Sequence, residues 1–350
     1  MIVEALFGKQ VSDRIECNAC SRRCKLPEGG RGFCYVRQNV GGRLFLTNYG
    51  IISAMQIDPI EKKPFNHFMP GSYVLGLGTS SCNWGCQFCQ NHNISKERDI
   101  SGSFVSPKRV IKIAKENNVG GIAFTYNEPT IFIEYALDVA REAHRHGLYA
   151  VFVTNGYMTK QVVREMKGNI DAVVVNFKGN GEQKFSNRFE LVQSNEPVKE
   201  ALVELVRYGI HVEITDLVVP GVGDSLSACD SLTQWIVDRL GSNVPVHFTR
   251  FHPDYKMLDY IRTPLDTLEK HREMAIANGL KYVYLGNCPG NAAQNTYCPS
   301  CGNAVVKRDG AYLVGWGLDI KNRCTVCGES ILISGKFEGT LERRSIISLY

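Results

Sequence analysis

No stretch of this 350-residue sequence approaches the ~20 consecutive apolar residues that a membrane-crossing helix requires. The segment from Met1 to Cys17 carries Glu4, Lys9, Asp13 and Arg14 in place of a basic start followed by an apolar core, so it does not read as a secretory signal. Internal repeats and low-complexity runs are also lacking, which argues against a solenoid or a repeat array. Charge is not lopsided either. A net charge of +5 suits an anionic substrate or partner without demanding nucleic acid. A cytoplasmic protein is expected, with no membrane association and no indication of nucleic-acid binding. With 44% apolar and 21% charged residues, the composition is that of a folded globular chain.

Cysteine is present in excess. Thirteen are many for a reducing compartment, where clustered cysteines are more often metal ligands than disulfides. Four lie between Cys17 and Cys34, three between Cys82 and Cys89, and four between Cys298 and Cys327. Cys229 and Cys288 stand apart and read as small packed thiols.

The middle of the chain alternates strand and helix patterns. Strands are predicted at 73–79, 121–126, 148–154, 171–177, 211–219, 244–250 and 281–285. Helices are predicted at 107–118, 130–146, 160–167, 196–208, 225–240 and 265–278. Pro129 near the start and Gly147 past the end bracket the second helix, and Thr263 with Asp266 resembles a capping box for the last. Such alternation implies an α/β fold with a parallel sheet. About seven strands fit a partial or complete TIM-like (β/α) barrel, with an open doubly wound sheet as the alternative. Three regions are expected: an N-terminal Cys-rich module (1–70), the barrel core (71–294), and a C-terminal zinc-ribbon-like module and tail (295–350).

The segment Cys82-Asn-Trp-Gly-Cys86-Gln-Phe-Cys89 places three thiolates at Cys-x3-Cys-x2-Cys spacing directly after the first predicted strand, where barrel active sites lie. Three thiolates can hold three irons of a [4Fe–4S] cubane and leave the fourth open. S-adenosylmethionine (SAM) can chelate that iron through its amino and carboxylate groups, accept one electron into the sulfonium, and yield a 5′-deoxyadenosyl radical. Cys82, Cys86 and Cys89 are thus the candidate catalytic cluster ligands. A zinc site completed by a distant fourth ligand is the plainer reading.

The triad, with Phe88 before its last cysteine, resembles the radical SAM signature. The longer pattern is similar to the pyruvate formate-lyase activating-enzyme branch, and within it to the AmmeMemoRadiSam-system radical SAM family. The stretches that carry this are Asp58-Pro-Ile-Glu-Lys-Lys-Pro64, Cys82–Asn91, Thr125-Tyr-Asn-Glu-Pro-Thr130, Val153-Thr-Asn-Gly156, His247-Phe-Thr-Arg-Phe-His-Pro253 and Asn295-Thr-Tyr-Cys-Pro299. The resemblance implies that Phe88 meets the adenine and that Asn127 and Glu128 receive the SAM amino group. It also implies that Thr154 and Asn155 reach ribose or carboxylate, that Lys178 stands at its strand end, that Val219 lines the adenine, and that Arg250 and His252 face the same mouth. Each has a bland counterpart: a helix cap for Asn127 and Glu128, a turn for Asn155, a solvated lysine for Lys178, and a surface pair for Arg250 and His252. Asn176 stands where related proteins carry an Asp that helps hold a monovalent cation, so that site is not carried over.

Cys298-x2-Cys301 and Cys324-x2-Cys327 form two knuckles separated by 22 residues, a pattern suited to Zn²⁺. Cys17-x2-Cys20-x3-Cys24-x9-Cys34 can bind Zn²⁺, the first choice, or an auxiliary Fe–S cluster. The leading expectation is an oxidoreductase-type radical SAM enzyme. Activation of a glycyl-radical protein is an alternative, and a zinc-dependent RNA- or protein-binding module is a second. Expected partners are an electron donor such as a ferredoxin or flavodoxin and, from the resemblance, Memo-type and AMMECR-type proteins or a glycyl-radical protein.

Overall fold

The computed structural model describes residues 1–337, 341 and 346–349. Its centre is a nine-stranded sheet. The strands are β1 (Ala54–Pro59), β2 (Tyr73–Gly78), β3 (Gly121–Phe124), β4 (Tyr149–Thr154), β5 (Ala172–Lys178), β6 (His211–Val218), β7 (Val246–Arg250), β8 (Val283–Gly286) and β9 (Ile347–Ser348). The run from β2 to β8 is parallel and sequential, β1 pairs antiparallel to β2, and β9 pairs antiparallel to β1. Sequential order excludes the doubly wound alternative, whose strand order reverses at a switch point. The sheet ends at β8 on one side and β9 on the other, so the barrel is partial. Ala54–Pro59 falls inside the stretch expected to belong to the N-terminal module yet joins this central sheet.

Between strands run helices α1 (Pro107–Glu116), α2 (Ile133–Arg145), α3 (Lys160–Met166), α4 (Glu196–Arg207), α5 (Leu226–Leu240) and α6 (Leu265–Ala277). Three of them start on capping side chains. The side chains of Ser106, Thr159 and Ser225 accept from the amides of Arg109, Val162 and Ala228. The last helix departs from expectation: Pro264 is its N-cap and no side chain caps it. Thr263 is occupied elsewhere, its hydroxyl donating to the Val218 carbonyl and accepting from Phe251 N.

Side chains alternate along the strands with a period of two. Ile122, Phe124, Phe152, Val173 and Val175 pack in the main core with helix residues such as Val110, Ala136 and Val162. Their neighbours Ala123, Val151, Ala172 and Val174 join Phe65 and Phe68 in a second core inside the curve of the sheet. That inner plug fills the end where the strands begin, so the other end is left for a ligand.

Glu213 anchors the plug. The buried carboxylate accepts from the amides of Asn66 (3.0 Å) and His67 (2.7 Å) and from His247 Nε2 (2.8 Å) and His211 Nε2 (3.2 Å). Burial alone would raise its pKa, but the two histidines outweigh burial and hold it far below the usual carboxylate range. Glu213→Gln should cost about 3 kcal/mol of unfolding free energy, read by urea titration at neutral pH. The stabilisation from a depressed carboxylate is complete above an unfolded glutamate's pKa of about 4.3 and fades as pH falls below it. The wild-type chain should therefore lose stability in acid more steeply than the variant.

The outer cysteine regions form small antiparallel sheets. Near the N-terminus, Gly8–Val11, Arg14–Cys17 and Lys25–Leu26 form one, and Val3–Glu4, Arg43–Leu46 and Arg37–Val40 another. A buried pair fixes this region to the barrel: Arg37 donates to both carboxylate oxygens of Glu134 on α2, at 3.0 and 2.7 Å. Towards the C-terminus, Thr296–Tyr297, Ala304–Asp309 and Tyr312–Trp316 form a third small sheet. Its Val305, Val306 and Leu313 pack on Tyr282 and Tyr284 beside the β8 edge. No helix among the described residues is long and apolar enough to cross a membrane.

Candidate active site

The Cys82–Cys89 loop leaves the end of β2 and is tied down through its backbone. Gly85 N donates to the Glu190 carbonyl (2.9 Å), Gln87 N to the Phe189 carbonyl (2.8 Å), and Lys256 N to the Gln87 carbonyl (2.9 Å). A Cβ on Gly85 would meet the side chain of exposed Leu191 at 2.5 Å and push it aside. Asn127 holds the loop's entry. It accepts from Thr79 N (3.1 Å) and donates to Thr79 Oγ1 (3.0 Å) and the Ser81 carbonyl (2.7 Å).

The three cysteines open onto a cavity of about 490 Å³ at the carboxyl ends of the strands. Its walls are the upper inward positions of successive strands: Val153 and Asn155, Asn176 and Lys178, Thr215 and Leu217, and Thr249. The volume lies within the range of small-molecule and cofactor sites. Phe88, Asn127, Glu128, Thr154, Asn155 and Lys178 line it together with the triad, so most of the residues singled out from the sequence converge there. Three do not line it. Val219 is buried in a tight turn with its N–H on the Gly223 carbonyl. Arg250 Nε donates to the Thr263 carbonyl (2.7 Å). His252 Nδ1 lies 3.2 Å from the amide of Gln90, a lining residue, which places it at the rim.

Glu128 lies at the centre of the polar wall. Oε1 accepts from Thr130 N (3.0 Å), Thr130 Oγ1 (2.5 Å) and Thr154 Oγ1 (2.7 Å), and Oε2 accepts from Asn155 N (2.8 Å). It caps the short helical turn Pro129–Phe132 while orienting the end of β4. Burial raises its pKa against the pull of these hydrogen bonds. Asn155 Nδ2 donates to Asn83 Oδ1 (2.7 Å), linking that strand end to the residue after Cys82. Asn176 donates to the Thr154 carbonyl (3.0 Å) and accepts from the Thr215 hydroxyl. Lys178 Nζ donates to the Asn176 carbonyl (2.9 Å) and sits 5.0 Å from the Trp84 ring centroid.

Burial pushes the Cys82 and Cys86 thiols up, and the Lys96 ammonium pulls them back without compensating. Bound iron would hold them as thiolates outright. Lys96 was not apparent from the sequence: it follows the short helix His92–Ser95 in a polar run with no pattern, and its Nζ donates to the Trp84 carbonyl (2.8 Å). Also missed was a cluster assembled from three elements. Asp58 accepts from Lys62 Nζ (2.6 Å), Lys63 Nζ (2.6 Å) and the Tyr126 hydroxyl (3.1 Å). Burial acts to raise Asp58, but the two lysines outweigh it and hold it low. Lys62, Lys63 and Tyr126 all line the cavity. The Asp58–Pro64 stretch was visible as a motif, but no spacing rule brings it to Tyr126.

The residues fit a three-cysteine cluster. Among the described residues, no cysteine or histidine apart from the triad lines the cavity, so these side chains would leave one iron of a cubane open. The indole N–H of buried Trp84, on the same wall, has no partner among the described residues and is free to donate to a bound group.

Residues 77–232 match the model of the radical SAM superfamily. The chain is 39% identical to the Uncharacterized protein MJ0808 of Methanocaldococcus jannaschii over 333 residues, covering 94% of this chain and 98% of that protein. It is 24% identical to MJ0674 of the same organism over 287 residues, covering 77% and 76%. The fold is similar to that of a radical SAM methyltransferase from Sphaerobacter thermophilus, with a TM-score of 0.50 and 14% identity over 65% of this chain and 71% of that one. With the superfamily pattern lying on the cysteine loop and the strands that wall its cavity, the chain belongs to the radical SAM superfamily, whose enzymes bind a [4Fe–4S] cluster and SAM.

Proposed function

We propose that Cys82, Cys86 and Cys89 hold the [4Fe–4S] cluster and that SAM occupies the cavity beside them. The observation that carries this reading is the cavity itself: three cysteines open onto it, and no further cysteine or histidine among the described residues lines it. With cluster and SAM bound and one electron supplied, reductive cleavage gives methionine and a 5′-deoxyadenosyl radical that abstracts hydrogen from a substrate.

The chain's own residues bind, orient and shield. Glu128 sets the positions of Thr154 and Asn155 at the end of β4, next to the triad loop, and its carboxylate suits the SAM ammonium. Lys178, Lys96, Lys62 and Lys63 bring positive charge to the cavity, which suits the methionyl carboxylate and an anionic substrate. Phe88 stacks on Phe185 with centroids 5.7 Å apart and offers an apolar wall to the adenine. Leu217 rather than Val219 supplies the apolar lining at β6. Within the superfamily, placement in the AmmeMemoRadiSam branch is supported by where its motif stretches lie. Lys62, Lys63 and Pro64 of one and Thr249 of another reach the same cavity.

The test is anaerobic reconstitution, reduction with dithionite, and quantification of 5′-deoxyadenosine and methionine. Both should accumulate in equal amounts. A chain with a full complement of iron and sulfide that forms neither would overturn the proposal. Deuterium carried into 5′-deoxyadenosine from labelled candidate substrates would then locate the hydrogen removed.

A structural zinc is proposed at the C-terminal knuckles. The sulfurs of Cys298, Cys301, Cys324 and Cys327 all lie within 4.8 Å of one another, with Cys298–Cys327 at 3.5 Å and Cys301–Cys324 at 3.7 Å. Tetrahedral zinc with Zn–S near 2.3 Å places its sulfurs roughly 3.8 Å apart. Cys327→Ser should lower zinc content by about one ion per chain and accelerate amide exchange across Ala304–Trp316. The SAM cavity should keep its affinity for SAM in the same variant.

A further inference from the structure

We infer that Cys17, Cys20, Cys24 and Cys34 form a second iron–sulfur site, a [4Fe–4S] cluster with every iron closed by cysteine, set directly behind the SAM cavity. The four line one small enclosed cavity together with Arg37 and Asn83. Their spacing is the first argument. Among the described residues, the C-terminal four are the cysteines whose sulfurs all close to within 4.8 Å; the N-terminal four do not, and neither does the Cys82–Cys89 triad. A single zinc draws its sulfurs to roughly 3.8 Å. A cubane, with its irons standing between the thiolates, holds them at roughly 6 Å. Like the triad, the N-terminal set is thus not gathered as a single zinc would gather it, which favours a cubane over the zinc expected there from sequence.

The second argument is hydrogen bonding. Arg37 Nε and Asn83 Nδ2 are buried donors without partners among the described residues, and both residues line this cavity. Buried donors left unpaired are costly, and the bridging sulfides and thiolates of a cluster are acceptors for them. The remaining guanidinium nitrogens of Arg37 are already committed to Glu134, which fixes the side chain beside the cysteines.

The location follows from Asn83 and Thr130. Asn83 follows Cys82 and accepts from Asn155 of the SAM cavity, while Thr130, a donor to Glu128, lines the second cavity. Asn83 and Thr130 thus line one site and bond to residues that line the other. Cys24, half-exposed, turns the other side of the site toward solvent. A one-electron redox group is thereby set between solvent and the triad.

The test uses the full chain with Cys82, Cys86 and Cys89 all replaced by alanine, reconstituted anaerobically. It should retain about four iron and four sulfide and give a reduced-cluster spectrum that SAM does not alter. About two zinc and no iron per chain would overturn the inference. Should that variant fail to fold, Cys24→Ser serves instead: it should lose roughly half of the wild-type iron while keeping the SAM-responsive signal. Unchanged iron would overturn the inference. In the fully reduced wild type, magnetic coupling between two clusters should broaden the spectrum, and either variant should abolish the broadening. A wild-type signal indifferent to SAM alongside iron retained in the triple variant would sink the proposed function and leave this site standing.

Discussion

Cys86→Ala is expected to reduce 5′-deoxyadenosine formation by ~10³-fold or more while leaving the chain folded. Two thiolates cannot hold a site-differentiated cubane, and Cys86 is the most buried of the three, so no water or surface group replaces it. The loop should survive. Its position is set by backbone hydrogen bonds from Gly85 and Gln87 to Glu190 and Phe189, and by the Asn127 bonds to Thr79 and Ser81. None of these uses the cysteine side chain. Far-ultraviolet circular dichroism should therefore match wild type, while the iron lost should be that of the SAM-responsive cluster alone. If the variant kept the SAM-dependent signal, the three cysteines would not be its ligands. If it instead lost zinc, the plainer reading of the triad would be correct.

The alternating half of the chain was legible because its strands are buried on both faces and its helices carry local boundary chemistry. Ala172-Val-Val-Val reads as a strand from composition, and Ser106-Pro107 and Gly147 mark helix ends through capping and a left-handed turn. The first strand, Ala54–Pro59, was not legible. Its inward Gln56 lines the site and its Asp58 binds lysines, so the apolar alternation that would betray a strand is broken by function. The capping box at Thr263 failed for a tertiary reason, since β6 and the chain after β7 claim the hydroxyl first. The difference between the outer cysteine clusters was equally silent. Ligand spacing along a chain points to metal, whereas the distance between sulfurs, which would distinguish one ion from a cubane, depends on how the turns pack.

Glu128→Gln is expected to weaken SAM binding by roughly 10- to 100-fold, for a reason that differs from simple loss of an ion pair. An ionised carboxylate offers about four acceptor positions, and four donors already reach Glu128: two from Thr130, one from Thr154 and one from Asn155. In the proposed role a SAM ammonium would share Oε2 with Asn155 N, so the group would be both a ligand and the clamp that sets the end of β4. An amide has one oxygen, and its NH₂ would confront donors it cannot accept from. Thr154 and Asn155 would then move away from the cavity, and unfolding free energy should drop by about 2 kcal/mol. Thr130→Val separates the roles, because it removes one donor and loosens the cap without touching the cavity side of the carboxylate. It should lower stability by about 1 kcal/mol and leave SAM affinity within about twofold. Acidity gives a further check. Burial raises the Glu128 pKa, so SAM affinity in the wild type should begin to fall on acidification above the ordinary glutamate range, and this limb should vanish in Glu128→Gln. Equal SAM affinity in Glu128→Gln and wild type, with only stability reduced, would mean that the residue serves as a cap and nothing more.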